Sequence, residues 1–259
     1  MFVFVATVGY NDKKVLHKQL VGGVLMTEKE ALLSTSPWVK AHFLQSEHLN
    51  ADDIALINRL GDKKHYPKGS VIIDIGSRGD YMYFVLKGTV RISLLSADGV
   101  EKPVSYVTQG CFLGEESFFH GQPTIYNALA VEAVEALSLD RKYLKEIISR
   151  PGLAHILLNS VSFKSRVLAH QIEDLAFRST IEKVSRILYC ILAETPEGKE
   201  KHHTIHISQQ ELAALAGAHR VSITNAISQL KKDEVIKTAK DGSIVVIDWD
   251  KLKEKGFGI

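Results

Sequence analysis

The chain has 259 residues, of which 45% are hydrophobic and 24% charged, and its 32 Lys and Arg against 30 Asp and Glu give a net charge of +2. This length favours two globular units, and the composition excludes a disordered, collagen-like or coiled-coil rod protein. A nearly neutral chain has no global basic field, so a nucleic-acid site would have to be local. The 2 cysteines are too few for a disulfide framework and favour a reduced, cytoplasmic setting.

The N-terminal segment gives the weakest signals. The apolar run from Met1 to Tyr10 lacks the basic start of a signal peptide and is too short to span a bilayer. We therefore expect neither a membrane anchor nor a membrane partner. Residues 1–45 are interpreted as an N-terminal arm of uncertain structure, to which the sequence assigns no function.

Residues 46–150 contain short β-rich segments separated by glycines. Asp98 and Gly99 lie between two alternating apolar segments, and this pair predicts a tight hairpin because both residues tolerate the positive φ of a type I′ turn. Many short strands with regular turns are typical of a small antiparallel barrel or sandwich. Within this region, Gly114 and Glu115 stand out, since a glycine lets the backbone approach a ligand and a carboxylate accepts hydrogen bonds. A simple turn is the alternative interpretation.

Residues 151–178 predict one long helix, because no Pro or Gly follows Gly152 until well beyond Arg178. Two apolar stripes follow the helical period. The first comprises Ile156, Phe163 and Val167, and the second comprises Leu157, Val161, Leu168, Ile172 and Leu175. A helix that is exposed on one side needs only one stripe, so the second predicts contact with another copy of the chain and hence a homodimer. A helix inside a monomeric core is the alternative.

Residues 179–259 show the pattern of a helix-turn-helix. Ser208 and Glu211 form a capping box that starts a helix, Gly217 ends it, and a second helix resumes within three residues. Between His219 and Lys240, five basic residues against two acidic ones provide a local positive patch. A basic hairpin wing follows. Polar side chains on the second helix are suited to base edges and phosphates, although a solvated bundle face is the alternative. The candidate DNA contacts are Ser208, Gln209, Gln210, His219, Arg220, Val221, Ser222, Thr224, Asn225, Gln229, Lys237 and Lys240.

The β-rich region at residues 46–150 and the helix-turn-helix region at residues 179–259 both resemble the Crp/Fnr transcription regulators. The resemblance is carried by Tyr66-Pro67-Lys68-Gly69, Gly88-Thr89-Val90, Phe112-Leu113-Gly114-Glu115, Gln210 to Gly217 and Arg220-Val221-Ser222-Ile223. It implies an α+β protein with an antiparallel cyclic-nucleotide-binding-like β-roll effector domain at 46–150, a dimerisation helix at 151–178 and a winged helix-turn-helix at 179–259. It further implies a double-stranded DNA operator as partner and RNA polymerase as a candidate partner. No nucleophile elbow, phosphate loop or catalytic carboxylate pair is present in the sequence, so we expect no enzyme.

The resemblance also bears on the effector. In members that bind cyclic AMP an Arg-Ser pair closes over the phosphate, whereas here Thr124 and Ile125 fall at that place. A phosphate in a partly apolar site without a guanidinium would remain poorly compensated. We therefore predict a small organic effector other than cyclic AMP, of unknown identity. The candidate effector contacts are Gly114, Glu115, Gln122, Thr124, Tyr126, Tyr81, Tyr83, Leu168 and Ala169. For Tyr81 and Tyr83, ordinary half-buried strand positions are the alternative.

A haem- or redox-based gas sensor with the same DNA-binding domain is the alternative function. An iron–sulfur centre needs several cysteines that the N-terminal arm lacks, whereas a haem needs only an axial ligand such as His120, Cys111 or His170. We expect neither a metal nor another cofactor. In the second helix, Val221 and Asn225 replace the Glu and Arg of many members, and a valine there is also found in the halo-aromatic-responsive regulators, which suggests this subgroup as the nearest.

Overall fold

The computed structural model describes residues 18–21, 24–27, 49–193 and 204–258. The helices of these ranges are α1 (Ala51–Leu60), α2 (Glu115–His120), α3 (Leu144–Ile148), α4 (Pro151–Phe177), α5 (Thr180–Ala193), α6 (Gln209–Ala216), α7 (Arg220–Lys232) and α8 (Trp249–Phe257). The strands are β1 (Lys18–Val21), β2 (Val24–Thr27), β3 (Gly61–Tyr66), β4 (Val71–Ile73), β5 (Tyr81–Lys87), β6 (Val90–Leu95), β7 (Glu101–Val107), β8 (Phe112–Leu113), β9 (Asn127–Ala130), β10 (Val134–Asp140), β11 (Thr204–Ile205), β12 (Ile236–Thr238) and β13 (Ile244–Val246). This architecture confirms the predicted α+β class.

The predicted effector domain is a sandwich of two four-stranded sheets, with strand orders β3-β10-β5-β8 and β4-β9-β6-β7. Apolar side chains from both sheets meet between them, where they form one core cluster. The hairpin predicted at Asp98-Gly99 is confirmed: β6 pairs antiparallel with β7 from Val90↔Val107 to Leu95↔Glu101. The predicted type I′ turn is wrong, because Gly99 has a φ of +77° but Asp98 does not have a positive φ, and the connection spans residues 96–100.

A second core lies outside the β3-β10-β5-β8 sheet, where α1, α3 and the first turns of α4 cover it. Leu157 was predicted to belong to the second stripe of α4, but it is 1% exposed and packs inside its own domain. Val161 of that stripe is half-buried and lines a cavity. The exposed members of the stripe in this chain are Leu168, Ile172 and Leu175, and Leu158, nearer the start of the helix, is also exposed.

The C-terminal unit packs α5, α6, α7 and α8 against a three-stranded sheet of order β11-β13-β12. Ser208 caps α6 by accepting a hydrogen bond from Glu211 N at 3.1 Å, as the capping box predicts. Gly217 ends α6 in the left-handed conformation, with a φ of +58°, which lets the chain turn directly into α7. The predicted helix-turn-helix is therefore present, and β12 and β13 form its wing.

A buried ionic cluster joins α4 to the C-terminal unit. Asp174 near the end of α4 lies 3.0 Å from Arg178 Nε and 3.6 Å from Arg186 Nη1 on α5. The Arg186 guanidinium also stacks over the Phe257 ring of α8 at 4.9 Å. This arrangement fixes α5 and α8 relative to the end of the long helix.

The predicted N-terminal arm is described only at β1 and β2, which pair as a two-stranded hairpin. The rest of residues 1–45 lies outside the described residues. Among the helices that the structure describes, none is long and apolar enough to cross a membrane.

Candidate functional site: an effector cavity and a DNA-reading helix

A cavity of about 210 Å³ lies between the β6–β7 hairpin and α4 of the effector domain. Most of its wall is apolar: β6 contributes the alternate residues Ile92 and Leu94, β7 contributes the adjacent Val104 and Ser105, and α4 contributes one stripe. The lining side chains are Ile92, Leu94, Val104, Ser105, Glu116, Ile125, Tyr126, Val161, Lys164, Ser165, Val167 and Leu168. The space is open to solvent on one side, where Ile125 and Leu168 are exposed. A concave, largely apolar site with few polar groups is typical of a small-molecule site.

Two polar groups on the cavity wall are unsatisfied. The Tyr126 hydroxyl and Glu116 Oε1 are both buried and lack a hydrogen bond of normal geometry among the described residues, but they lie close enough to interact with each other. Burial, followed by the negative charge of Glu116, raises the pKa of Tyr126 well above its usual value, so this phenol stays protonated. This adjacent donor and acceptor, which are not joined by a well-formed hydrogen bond, indicate where a ligand would make its polar contacts.

Glu115 is held in a buried ion pair next to the cavity. Gly114 adopts a φ of +86° at the start of α2, and its missing Cβ would lie 2.9 Å from Ile73 Cδ1, so only glycine fits there. This tight turn directs Glu115 inward, where it is 0% exposed. Its carboxylate accepts a hydrogen bond from Ser160 and pairs with Lys164 Nζ at 2.7 Å, both on α4. The pair therefore fastens α2 to the long helix.

Of the effector contacts predicted from the sequence, Tyr126 and Leu168 line this cavity. Gln122 and Ala169 are exposed and do not line it. Thr124 is buried and its hydroxyl donates a hydrogen bond to Ser117 Oγ at 3.2 Å, away from the cavity wall.

The two tyrosines of β5 also lie elsewhere. Tyr81 is 46% exposed, and Tyr83 makes an edge contact with Tyr66 at 6.3 Å between ring centroids. They occupy ordinary strand positions outside this cavity.

Sequence reasoning missed the two ionisable residues on the cavity wall, Glu116 and Lys164. A signal for Lys164 was present, since it lies three residues after Val161 and four before Leu168 on one helix face. No comparable signal marked Ser105 or Val104, because their placement depends on how β7 packs against α4.

The residues considered as haem ligands are dispersed. Cys111 is 1% exposed within the sandwich core, where burial raises the pKa of its thiol. His120 is exposed at the end of α2, and His170 lies 3.3 Å from Glu173 on α4. Across the described ranges, no three His, Cys, Asp or Glu side chains converge as they would around a metal ion.

The second helix of the helix-turn-helix, α7, shows one buried and one exposed face. Ile223, Ala226, Ile227 and Leu230 are buried in the core of the C-terminal unit. The opposite face exposes the predicted DNA contacts Arg220, Val221, Thr224, Asn225 and Gln229, with Ser222 half-buried beside them. His219 precedes α7 as its exposed N-cap. This is the geometry of a helix that can enter a major groove.

Side-chain contacts fix the surroundings of this face. The Thr224 hydroxyl donates to Gln209 Oε1 at 2.9 Å, which ties the start of α6 to the first turns of α7. Gln229 donates to Asp233 at 2.7 Å, so its amide is already engaged near the end of the helix. Exposed Ser208 and Gln210 lie beside the start of α6, and exposed Lys237 and Lys240 project from the wing.

A β-sandwich with a cavity against a long helix, which joins it to a winged helix-turn-helix, defines a DNA-binding transcription regulator that responds to an effector. The chain belongs to the Crp/Fnr family of such regulators. Residues 63–150 match the cyclic nucleotide-binding domain, and residues 182–255 match the Crp-like helix-turn-helix domain. The family confirms the predicted resemblance and the prediction that the chain is not an enzyme.

Relatives span most of the chain. A CRP-like cAMP-activated global transcriptional regulator of Mycobacterium tuberculosis is 26% identical over 205 residues, which cover 78% of this chain and 91% of that protein. The cyclic AMP receptor protein of Thermus thermophilus is 28% identical over 212 residues, 82% of this chain and 95% of the relative. Among solved structures, the c-di-GMP responsive global regulator CLP of Xanthomonas campestris has a TM-score of 0.68 at 20% identity, covering 77% of this chain and 100% of that one, and it shares the fold.

Proposed function

We propose that the protein is a homodimeric, sequence-specific transcription regulator gated by a small organic effector other than cyclic AMP. The effector binds in the cavity between the β6–β7 hairpin and α4, and its binding changes the orientation of the two α7 helices toward DNA. The observation that carries this proposal is the largely apolar cavity with an unsatisfied hydroxyl and an unsatisfied carboxylate oxygen on its wall.

The cavity favours a compact ligand with an apolar body. Its volume of about 210 Å³ is below the range of ~300–1,000 Å³ that drug-sized ligands occupy. A single aromatic ring would fill the space against Leu94, Val104 and Leu168. One polar group on the ligand would accept from the Tyr126 hydroxyl, and a donor on it would meet Glu116. An effector of this chemistry agrees with the suggested nearness to the halo-aromatic-responsive subgroup.

A cyclic phosphate fits this wall poorly. Lys164 is the one cation on the cavity wall in the described part of the chain, and it is already paired with buried Glu115. The Glu116 carboxylate would repel a phosphate, and Ile125 lies where a cyclic-AMP-binding member has part of its phosphate clamp. The cost of an uncompensated buried anion is several kcal/mol, ~3–5 by analogy with broken buried ion pairs. Relatives named for cyclic AMP therefore do not define the effector of this chain.

The exposed apolar residues of α4 support the homodimer. Leu168, Ile172 and Leu175 are 45%, 66% and 51% exposed in the single chain, and 168 and 175 are one heptad apart. Such a stripe on a long helix is stabilised when a second copy covers it. A two-fold dimer would present the two α7 helices to successive major grooves, as a two-fold symmetric operator requires.

The roles of the DNA contacts follow from exposure and chemistry. Arg220 and Asn225 can each form paired hydrogen bonds to a base edge, to guanine and adenine respectively. Val221 is 71% exposed and can contact a thymine methyl group. Lys237 and Lys240 on the wing, with Ser208, Gln209, Gln210, His219, Ser222 and Thr224 nearer the helix starts, are suited to the phosphate backbone. Gln229 is the least available of the set, because it is bonded to Asp233.

Calorimetry and a ligand screen test the effector. We expect no heat of binding for cyclic AMP at micromolar concentration and a thermal shift with some small aromatic compounds. Tyr126→Phe should weaken a hit that binds in the cavity, whereas the matched Tyr81→Phe, which removes a hydroxyl outside it, should not. Micromolar binding of cyclic AMP with a matching gain in operator affinity would overturn the proposal. A Soret band in the purified protein would instead favour the haem-based alternative.

A further inference from the structure

Strand β7 contributes to two sites at once. Val104 and Ser105 line the effector cavity, whereas Lys102 and Tyr106 of the same strand face the C-terminal unit. These positions lie within five consecutive residues of one strand, which spans ~3.3 Å per residue. The cavity wall and the contact with the C-terminal unit are therefore only a few residues apart on one strand.

Lys102 reaches the end of the first helix of the helix-turn-helix. Its ammonium donates a hydrogen bond to the carbonyl oxygen of Leu215 in the last turn of α6. A cation at a helix C-terminus satisfies carbonyls that lack an intrahelical partner and interacts favourably with the helix dipole. The groove around this contact leaves little room at the turn, since a Cβ on Gly217 would lie 3.4 Å from Lys102 Cε and 3.0 Å from Leu175 Cδ2.

Tyr106 makes the second contact. Its half-buried ring packs against the hydrophobic core of the C-terminal unit, although the residue belongs to the effector domain. Burial raises the pKa of its hydroxyl. Tyr106 and Lys102 therefore hold α6 from two points of the same strand.

The long helix holds β7 between these points. The side-chain amide of Gln171 on α4 donates a hydrogen bond to Val104 O, and Gln171 is 7% exposed. Because α4 also forms one wall of the cavity, a ligand that separates α4 from β7 acts on this bond directly. The cavity, the bond to α4 and both contacts to the C-terminal unit lie on one short segment.

We infer that β7 couples occupancy of the effector cavity to the position of the helix-turn-helix in the same chain, with Lys102 and Tyr106 as the positioning residues. This inference rests on the proposed function, since it specifies how that cavity acts on DNA binding. A ligand that presses on Val104 and Ser105 moves β7, and the contacts at Leu215 and in the core of the C-terminal unit move α6 with it. Neither residue needs to touch ligand or DNA.

A substitution that fills the cavity replaces the unidentified effector in the test. Glu116→Phe places a ring in the cavity from α2, which is not part of β7. Glu116→Gln is its matched control, because it removes the charge without filling the space. Hydrogen exchange of residues 209–219 and affinity for an operator selected from random DNA are then measured in wild type, Glu116→Phe, Lys102→Met and the double variant.

Filling the cavity should change exchange in residues 209–219 and operator affinity by about fivefold or more, the lower end of common allosteric couplings. Lys102→Met should reduce this effect to less than about twofold, and Lys102→Arg, which keeps a donor for Leu215 O, should restore it. Arg91→Met removes a charge from the same groove, but Arg91 pairs with Glu101 at 2.8 Å within the hairpin, so the effect of cavity filling should persist.

Tyr106→Leu provides a second variant if Lys102→Met does not fold, and it should reduce the coupling in the same way. The inference would be overturned if the variants fold and the effect of Glu116→Phe on hydrogen exchange simply adds to the effect of the β7 substitution. The exchange measurement needs no DNA. A wild-type protein that selects no operator sequence would therefore contradict the proposed function while leaving the test of β7 intact.

Discussion

The effector domain and the C-terminal unit present their candidate functional residues in opposite ways. In the effector domain, Glu115 is 0% exposed and Tyr126 is 7% exposed, and one wall of the cavity is formed by a helix more than thirty residues away in sequence. In the C-terminal unit, Arg220, Val221 and Asn225 project from one exposed helix face. The first site is therefore defined by packing between distant elements, and the second by the residue order of a single helix.

This difference has an energetic consequence. A change in the buried site alters solvation and packing, so it should cost folding stability as well as ligand binding. A change on the exposed face should cost DNA affinity alone, since surface substitutions usually alter stability by less than ~0.5 kcal/mol. The predictions below test each side of this contrast.

The largest effect is expected from Lys164→Met. It leaves the Glu115 carboxylate buried with only the Ser160 hydroxyl as partner, at a cost of roughly 3–5 kcal/mol in the free energy of unfolding. The double variant Glu115→Gln with Lys164→Met should recover much of this loss. Denaturant unfolding measures both, with Arg59→Met as control, because the Arg59–Glu146 pair is 62% and 42% exposed and should contribute under ~1 kcal/mol. If Lys164→Met and Arg59→Met lose the same free energy of unfolding, the buried and exposed ion pairs do not differ in stability as this account requires.

The next effect concerns the exposed stripe of α4. Ile172→Glu should weaken dimerisation by roughly 3 kcal/mol, because two carboxylates would face each other away from water. Ser162→Glu adds the same charge to another exposed position of the helix and should leave the dimer intact. Sedimentation analysis at several concentrations distinguishes the two variants. An unchanged dimer for Ile172→Glu would mean that this stripe is not the interface.

Lys102 should give the contact between the domains an alkaline pH dependence. Burial, with Lys183 of α5 nearby, lowers its pKa from 10.5 to about 8, although Asp174 of α4 opposes this. Arg91, Glu211 and His219 line the groove beside it. Between these two pKa values the unfolded chain binds more protons, so this residue makes the protein more stable as pH rises, by at most roughly 3 kcal/mol.

Urea unfolding of wild type and Lys102→Met at pH 7.5, 9 and 10 measures this contribution. The wild type should gain stability relative to the variant as pH rises. If the unfolding free energies of wild type and Lys102→Met change with pH in the same way, Lys102 titrates normally and its contact with α6 is exposed to solvent.

The sequence predicts features that depend on neighbouring residues better than features that depend on packing between distant elements. The hairpin at Gly99, the cap at Ser208 and the turn at Gly217 depend on local residue chemistry, and the positions of all three were predicted correctly, although the type I′ geometry of the hairpin turn was not. The exposed face of α7 also follows from helical periodicity within one segment.

The cavity wall could not be predicted in this way. Glu115 carries the expected glycine-acid pattern, but its charge is taken up by Lys164, a residue 49 positions away. Gln122 and Ala169 were chosen by alignment with the family, and both point to solvent instead of the cavity. Tertiary packing decides which strand contacts which helix, and local sequence patterns do not predict these contacts.

The smallest effect is expected on the wing. Lys240 is exposed and suited to a phosphate, so Lys240→Ala should weaken binding to all sequences alike and reduce the slope of log affinity against log salt by about one unit. Its unfolding free energy should stay unchanged. Titration of an operator and an unrelated duplex at several salt concentrations measures both. A loss confined to the operator would assign Lys240 to base reading.

Selection of operators from a randomised DNA library tests the central claim, that α7 reads base sequence in a two-fold symmetric dimer. The wild type should enrich a two-fold symmetric sequence with half-sites about 34–36 Å apart, and Arg220→Ala and Asn225→Ala should each relax preference at particular positions, by ~1–3 kcal/mol of discrimination. If the wild type enriches no symmetric sequence, or if both variants keep the same preferences, α7 does not read the operator and the account is wrong.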